Sequence, residues 1–226
     1  MTAEVPSFDA LTSSAAAPVS GGTCSLEVRW ILAGRLGTAA AGWFGRFPVG
    51  VESREDIYLL DPQLRGLSVK VRGGGALEVK MYRESPGILE VAGRARGRME
   101  SWQKWSFPFS PVSADSGNPA SWMPVRKRRR ISWFSLDSRP IGPHTPGLGP
   151  KPGCKAELTE VRTPGQDWWS LGLEVTGPAN LLRSELEATA ALVFAEALPA
   201  GIGLGLDEST SYAEWLGRRP AAPPWR

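Results

Sequence analysis

The chain has 226 residues, of which 42% are hydrophobic and 22% are charged, and its formal net charge is +3. This length suits a single domain, and the hydrophobic share argues against global disorder. No apolar run approaches the roughly 20 residues of a transmembrane helix, so no membrane partner is expected, and the mild positive charge permits an anionic ligand without indicating general DNA binding.

Residues 1–22 and 218–226 are predicted to be tails on either side of one domain at residues 23–217. The first tail is rich in Pro, Ser and Ala, and it lacks both the basic start and the continuous apolar stretch of a signal peptide. We therefore expect a cytoplasmic protein. The two cysteines, Cys24 and Cys154, are too few for a disulfide framework and are interpreted as reduced packing residues.

Alternation of polar and apolar residues predicts about eight strands, mostly antiparallel. In chain order they lie at 24–32, 54–60, 68–83 (a hairpin of two strands), 88–107 (one strand or a long broken one), 122–136, 154–162 and 167–175. The Pro-rich segments 108–119 and 139–153 are predicted to be loops, and no internal repeat indicates a solenoid or a propeller.

Helices are predicted between and after these strands. Residues 38–47 carry an alanine run followed by Trp43 and Phe44, which indicates a short helix that covers apolar strand faces. A longer helix at 184–198 begins with Ser184 and Glu187, which form a capping-box signature. The segment 209–216 is predicted to add a turn of helix.

The hairpin at 68–83 has one charged face and one apolar face. Alternation places Lys70, Arg72, Glu78 and Lys80 on one side, with valine, leucine and methionine on the other. In an isolated strand the charged face is simply the solvent face. Because six segments repeat the pattern, we expect apolar faces to point outward to the helices and charged faces to line a channel. The predicted fold is α+β and mostly antiparallel β, a closed or nearly closed eight-stranded tunnel barrel with covering helices.

The inward charges favour an anionic ligand. The positive charges outnumber the carboxylates, and an anion of several charges, such as a polyphosphate, would neutralise the excess. Gathered near one another, the carboxylates would hold a hard cation, Mg²⁺ or Mn²⁺. The inward cations are Arg29, Lys70, Arg72, Lys80, Lys104, Lys127 and Arg129, and the inward carboxylates are Glu27, Glu78, Glu157 and Glu174.

The order of these charged strands resembles the CYTH or triphosphate tunnel metalloenzyme superfamily. The matching pieces are SLEVRW, YLLDP followed by LSVKVRGGGALEVK, WQKWS, VRKR, CKAEL and LGLEV, which together span residues 24–175. That group includes thiamine triphosphatase, inorganic tripolyphosphatase, class IV adenylate cyclase and fungal RNA triphosphatase. The resemblance implies a tunnel that binds a triphosphate, usually with Mg²⁺ or Mn²⁺, and cleaves a phosphoanhydride bond.

The resemblance also implies roles for the inward residues of this chain. The seven cations would bind the phosphates, and Glu27, Glu157 and Glu174 would hold the metal that positions an attacking water. Glu78 and Lys80 are the candidate catalytic residues, with Glu78 either orienting that water or pairing with a neighbouring lysine. The substrate would be a triphosphate-bearing small molecule or inorganic polyphosphate.

The first strand departs from the family's pattern. The family carries Glu-x-Glu-x-Lys there, whereas this chain has Ser25, Glu27 and Arg29. Arginine keeps a phosphate contact, but the loss of one carboxylate weakens the metal site. A non-catalytic polyphosphate- or nucleotide-binding protein of the same fold is therefore the first alternative to hydrolysis.

A β-barrel carrier of an apolar ligand, with its charges outside, is the second alternative. Contact with RNA is a minor one, since Arg126, Arg128 and Arg130 are predicted to face outward as a wet surface. His144, the only histidine, lies in a Pro/Gly-rich loop with no partners for a nucleophilic triad. The sequence carries no signal for the oligomeric state, a protein partner or the identity of the substrate.

Overall fold

A computed structural model describes residues 22–218, except for 62, 65, 74, 109–121 and 142–151. The predicted tails lie outside the described residues but for their innermost positions, and so do His144 and most of the two predicted Pro-rich loops. Among the described helices, none is long and apolar enough to cross a membrane. The predicted cytoplasmic location stays a prediction.

Eight antiparallel strands close into a barrel, which confirms the predicted fold class. They follow the order β2-β3-β4-β5-β1-β9-β8-β6 around the barrel, and pairing of β2 with β6 completes the circle. A two-residue strand, β7, pairs only with the end of β6. The strands are β1 (Thr23–Ala33), β2 (Gly50–Leu59), β3 (Leu67–Arg72), β4 (Ala76–Val91), β5 (Ala95–Pro108), β6 (Trp122–Phe134), β7 (Pro140–Ile141), β8 (Gly153–Thr163) and β9 (Gln166–Thr176).

The segment 88–107, predicted to be one strand or a long broken one, is divided between two strands of the barrel. Its first residues complete β4, and the chain then turns at 92–94 into β5. Gly93 has a positive φ of 66° in this turn, and the Arg94 amide donates to the Val91 carbonyl at 2.9 Å. One glycine without proline or asparagine is a weak turn signal, so alternation on both sides reads as continuous.

Three α-helices accompany the barrel: α1 (Thr38–Phe44), α2 (Leu182–Val193) and α3 (Tyr212–Gly217), with a 3-10 turn at Ala179–Leu181 before α2. The predicted capping box at Ser184 and Glu187 is wrong, because α2 begins earlier. The Ser184 hydroxyl instead donates to the Leu181 carbonyl at 3.0 Å. Ser211 does cap α3, accepting from the Glu214 amide at 3.2 Å.

Helix α2 ends at Val193, five residues before the predicted end. Its terminal carbonyls are satisfied by arginines from elsewhere in the chain, since Arg46 donates to the Val193 carbonyl and Arg94 donates to those of Phe194 and Ala195. These partners are distant in sequence, so no local pattern could place the end of the helix.

The main core lies outside one side of the barrel. The outward faces of β1, β8 and β9 pack beneath α2 and the end of α1, in agreement with the predicted orientation of the apolar faces. Burial of each large apolar side chain in this core stabilises the fold by about 1.5–3 kcal/mol. The cluster includes Leu26, Val28, Trp30, Phe44, Ala156, Leu158, Leu171, Leu173, Val175, Leu186, Ala190, Val193 and Phe194.

A second apolar cluster fills one end of the barrel. By strand alternation its members share the inward face with the charged residues, so the lumen face becomes apolar at this end. Helix α3 packs onto them through Trp215 and Leu216. The strand residues are Ile31, Tyr58, Met123, Val125 and Val161.

The outward apolar side chains of β3 and β4 are less well covered. Val69, Val71, Leu77, Val79 and Met81 are half-buried, and they belong to neither apolar cluster of the described residues. The helical cover predicted for all apolar faces is therefore found mainly over β1, β8 and β9.

Candidate functional site

A cavity of about 90 Å³ lies inside the barrel and is lined mostly by charged side chains. All eleven inward charges predicted from the sequence line it, because strand alternation alone decides which side of the wall a residue faces. They are Glu27, Arg29, Lys70, Arg72, Glu78, Lys80, Lys104, Lys127, Arg129, Glu157 and Glu174.

Every lysine in the described part of the chain lines this cavity. Lysine is a residue that normally lies in solvent and is almost never buried without a partner. The outer surface uses arginine instead, and the outward Arg126 and Arg128 pair with Glu55 and Glu160 as a wet surface. The five lysines are Lys70, Lys80, Lys104, Lys127 and Lys155.

Several lumen residues were missed by the sequence analysis. Arg54, Asp56 and Tyr58 alternate along β2, and Lys155 lies two residues before Glu157 on β8, so the same period-two signal could have found all of them. Tyr212 carries no such signal, since the packing of α3 against the barrel brings it to the lumen.

Asp56 is the centre of one group of charges. It is fully buried, and its carboxylate lies 3.1 Å from Arg54, 3.1 Å from Lys70 and 3.0 Å from Lys127. Burial alone would raise the pKa of Asp56, but Lys127, Lys70 and Arg54 outweigh it and hold that pKa well below its usual range. Lys127 also donates to the Tyr58 hydroxyl at 2.6 Å.

Glu78 is the centre of a second group. Its carboxylate lies 2.8 Å from Arg72 and 3.0 Å from Lys70, with Lys104 at 3.9 Å. Burial opposes ionisation of Glu78, but Lys70, Lys104 and Arg72 lower its pKa well below the usual value. Glu78 therefore lies among lysine and arginine partners, and its role in orienting a water stays a prediction.

The remaining carboxylates form a row joined by lysines. Glu27 and Glu174 are register partners on β1 and β9, and the Lys80 ammonium donates to both, to Glu174 at 3.2 Å. Lys155 donates to Glu174 and lies 3.7 Å from Glu157. Burial opposes ionisation of Glu174, but Lys155 and Lys80 hold its pKa well below the usual value.

Glu157 closes this row between two arginines. Arg129 donates to its carboxylate, and Arg29 lies 3.7 Å away. The Arg29 guanidinium fills the space beside Gly172, where a Cβ atom would lie only 2.8 Å from Cζ. It also lies 4.8 Å from the centre of the Tyr212 ring, so this arginine is held from three sides.

Positive charge predominates in the lumen as a whole. Nine lysines and arginines line the cavity, against four lining carboxylates and two more, Glu52 and Asp56, that pair with the lining cations. With every group ionised, the lumen therefore has a formal excess of three positive charges, although each cation shares at least one carboxylate. Such an excess in a water-shielded space favours an anionic ligand.

The predicted metal ligands Glu27, Glu157 and Glu174 do not gather around one point. Each is engaged by lysine or arginine, and an ammonium group lies between neighbouring carboxylates. Mg²⁺ and Mn²⁺ require several oxygens turned toward a common centre. Among the described residues, no three acidic, histidine or cysteine side chains form such a group.

A second cavity, of about 670 Å³, adjoins the lumen beside α3. We call it the vestibule; Tyr58, Ser68, Trp102, Ser211 and Ala213 line both spaces.

Two rings and a carboxyl distinguish the vestibule. The Tyr82 and Trp102 rings meet edge to face with centroids 5.5 Å apart. Burial and the charges of Glu27 and Glu214 raise the pKa of Glu100 to about 7, although a 3.1 Å hydrogen bond from the Trp102 indole opposes the shift.

The fold expected from the tunnel superfamily is confirmed by this geometry, since eight strands close and their charged faces line the lumen. No family model and no curated protein matches the chain.

Solved structures with a similar fold include an adenylyl cyclase candidate from Hippeastrum described as having a dominant triphosphatase activity, with 12% identity over 74% of this chain and 88% of that one and a TM-score of 0.40. Another is the RNA triphosphatase of S. pombe, with 10% identity over 78% and 80% and a TM-score of 0.40. The Mimivirus capping-enzyme triphosphatase has 13% identity over 77% and 91%, with a TM-score of 0.39.

Proposed function

We propose that the barrel binds a triphosphate-bearing small molecule or inorganic polyphosphate in its lumen. The observation that carries this proposal is the excess of lysine and arginine around an enclosed cavity. Phosphate oxygens accept several charge-assisted hydrogen bonds each, and a flexible polyphosphate brings many of them into one channel. The lining of Lys, Arg and Glu is the opposite of what a carrier of apolar ligands needs.

The vestibule favours a ligand with an organic part. A triphosphate in the lumen would lead its attached group past Trp102, which lines both cavities. The Tyr82 and Trp102 rings and the leucines of this wall offer apolar and aromatic contacts for such a group. Inorganic polyphosphate would leave these contacts unused.

The first test is binding. Isothermal titration with tripolyphosphate and with a nucleoside triphosphate should show saturable binding to the wild-type protein. Lys104 has a single carboxylate contact in the lumen, at 3.9 Å, so Lys104→Met should weaken binding by about tenfold or more with little effect on folding. Arg128→Gln, which removes an outer charge, is the matched control and should bind like the wild type. No binding of either ligand would refute the proposal.

Hydrolysis of a phosphoanhydride bond is the second candidate. The same cations would offset the charge that develops on the phosphoryl oxygens during cleavage. The candidate catalytic pair, Glu78 and Lys80, is tested by phosphate release from the bound ligand, measured both in EDTA and in Mg²⁺ or Mn²⁺, with Lys80→Met as the inactive reference. Binding without phosphate release would identify a non-catalytic binding protein.

A further inference from the structure

The lumen carries ammonium groups in the positions where a divalent cation would bridge carboxylates. Lys80 joins Glu27 to Glu174, and Lys155 joins Glu174 to Glu157. Ion pairs link these five side chains, from β4, β1, β9 and β8, into one row in which carboxylates and ammonium groups alternate. The row is well shielded, with between 4% and 21% of each side chain exposed.

An ammonium group has three hydrogen-bond donors. Lys80 donates two of them to carboxylates, whereas Lys155 donates one to Glu174 and lies 3.7 Å from Glu157, so at least one N–H of each lysine remains for another acceptor. Both lysines line the cavity, so that acceptor would lie in the lumen. A bridge from carboxylate through a cation to a phosphate oxygen is the arrangement that a bound divalent metal otherwise supplies.

A divalent cation could enter this row only by displacing a lysine from two carboxylates at once. The displaced ammonium would then lie beside a dication in a space that is shielded from water, and the repulsion between the two cations is strongly unfavourable. The next inward position along β1 and β9 is the pair of Arg29 and Gly172. The Arg29 guanidinium fills the space beside Gly172, so a cation finds no room there either.

We infer that Lys80 and Lys155 replace the divalent cation in this tunnel, and that the protein binds its polyanion as the free, metal-uncomplexed species. This inference rests on the proposed function and specifies the ionic form of its ligand. Added Mg²⁺ then competes with the protein, because it neutralises the charges on the phosphates that the lysines would contact.

The test is titration of tripolyphosphate into the full-length protein in EDTA and in excess Mg²⁺. We expect tighter binding in EDTA than in excess Mg²⁺. Equal or tighter binding in Mg²⁺ would overturn the inference while leaving the proposed function intact. Absence of binding in both buffers would instead refute the proposed function.

A variant isolates the role of Lys155. Lys155→Met should weaken binding in EDTA by about tenfold or more, and Mg²⁺ should recover part of the loss because Glu157 and Glu174 are released. Arg128→Gln controls for the loss of one positive charge and should bind like the wild type. Unchanged binding by Lys155→Met in EDTA, or a loss that Mg²⁺ does not lessen, would overturn the inference.

A measurement on the wild-type protein without a polyanion tests the inference even if Lys155→Met does not fold. Mn²⁺ titrated into the wild-type protein alone should keep the electron paramagnetic resonance signal of the free ion. Tight Mn²⁺ binding that Glu174→Gln abolishes would show that the carboxylates accept a metal despite the lysines, and would overturn the inference.

Discussion

Two opposite walls of the barrel differ in the charge that they contribute to the lumen and in how well their outer faces are packed. The helix-covered wall, formed by β1, β9 and β8, contributes three carboxylates and two cations to the lumen, and its outer face lies in the main core. The opposite wall, formed by β2 to β6, contributes seven cations with three paired carboxylates. The outer faces of β3 and β4 within it are only half-buried.

The two walls therefore have different roles: one holds lysines in position and the other binds the polyanion. The carboxylates are fixed from behind by a packed core and orient both Lys80, which reaches across from β4, and Lys155 of their own wall. The basic wall provides most of the positive charge. A polyanion would therefore bind mainly to the basic wall, with the acidic row holding Lys80 and Lys155 in position. The predictions below test this division from the largest expected effect to the smallest.

Asp56→Asn should have the largest effect. The change leaves Arg54, Lys70 and Lys127 in the basic wall without their shared carboxylate, and loss of one partner of a buried ion pair typically lowers the unfolding free energy by about 3–5 kcal/mol. Chemical denaturation measures the loss. Tripolyphosphate should raise the melting temperature of the variant more than that of the wild type, because phosphate oxygens replace the missing carboxylate. Equal stability of the two proteins would contradict this account of the basic wall.

Glu100 tests the place where the two walls meet, since it faces Glu27 across β5 and β1. Its folded pKa of about 7 lies above the ordinary value of 4.5, so the fold favours the protonated form. As pH rises from 4.5 to 7, the unfolded carboxyl ionises first and the folded protein loses stability, by up to about 3 kcal/mol.

Glu100→Gln removes this titration. Its stability relative to the wild type should be near zero at pH 4, increase through pH 7 and then stay constant. Thermal melts of both proteins across this range measure the difference. A difference that is independent of pH would show that the carboxyl of Glu100 is not perturbed by its surroundings.

Gly172→Ala tests how tightly the helix-covered wall holds Arg29. The added Cβ would lie 2.8 Å from the guanidinium carbon, and such overpacking typically costs about 1–3 kcal/mol. Gly203→Ala is the matched control, because a Cβ there meets nothing within 4 Å. Similar melting temperatures for the two variants would show that Arg29 moves freely.

The smallest effect is expected outside the barrel. Arg128 pairs with Glu160 at 3.3 Å and more than half of its side chain is exposed, so Arg128→Gln should change the unfolding free energy by less than about 1 kcal/mol. Denaturant titration gives this value. A larger loss would mean that the outer arginines contribute to the fold and cannot serve as neutral controls for the lumen.

Strand alternation predicted eleven of the thirteen charges that line the lumen, and the same period of two also covers Arg54 and Lys155, which were missed. It could not predict which cation meets which carboxylate. The row from Glu27 through Lys80 to Glu174 depends on the register of β1 with β9 and on the reach of a lysine from β4. These are properties of the closed barrel rather than of any one segment.

The apolar end of the lumen and the vestibule were not predicted for a similar reason. Ile31 and Val161 continue the alternation of charged strands, and only the packing of α3 turns these positions into a second apolar cluster. The end of α2 was mispredicted because the carbonyls there accept from Arg46 and Arg94, which are distant in sequence.

The confinement of the described lysines to the interior has a chemical consequence. Across that part of the chain, the outer surface offers guanidinium groups but no primary amines to a reagent or a modifying enzyme. Acylation of a lysine here requires entry into the barrel, so mass-spectrometric mapping of amine-reactive labels reports directly on access to the lumen. A bound polyanion should protect these sites together, while leaving arginine-directed labelling of the exterior unchanged.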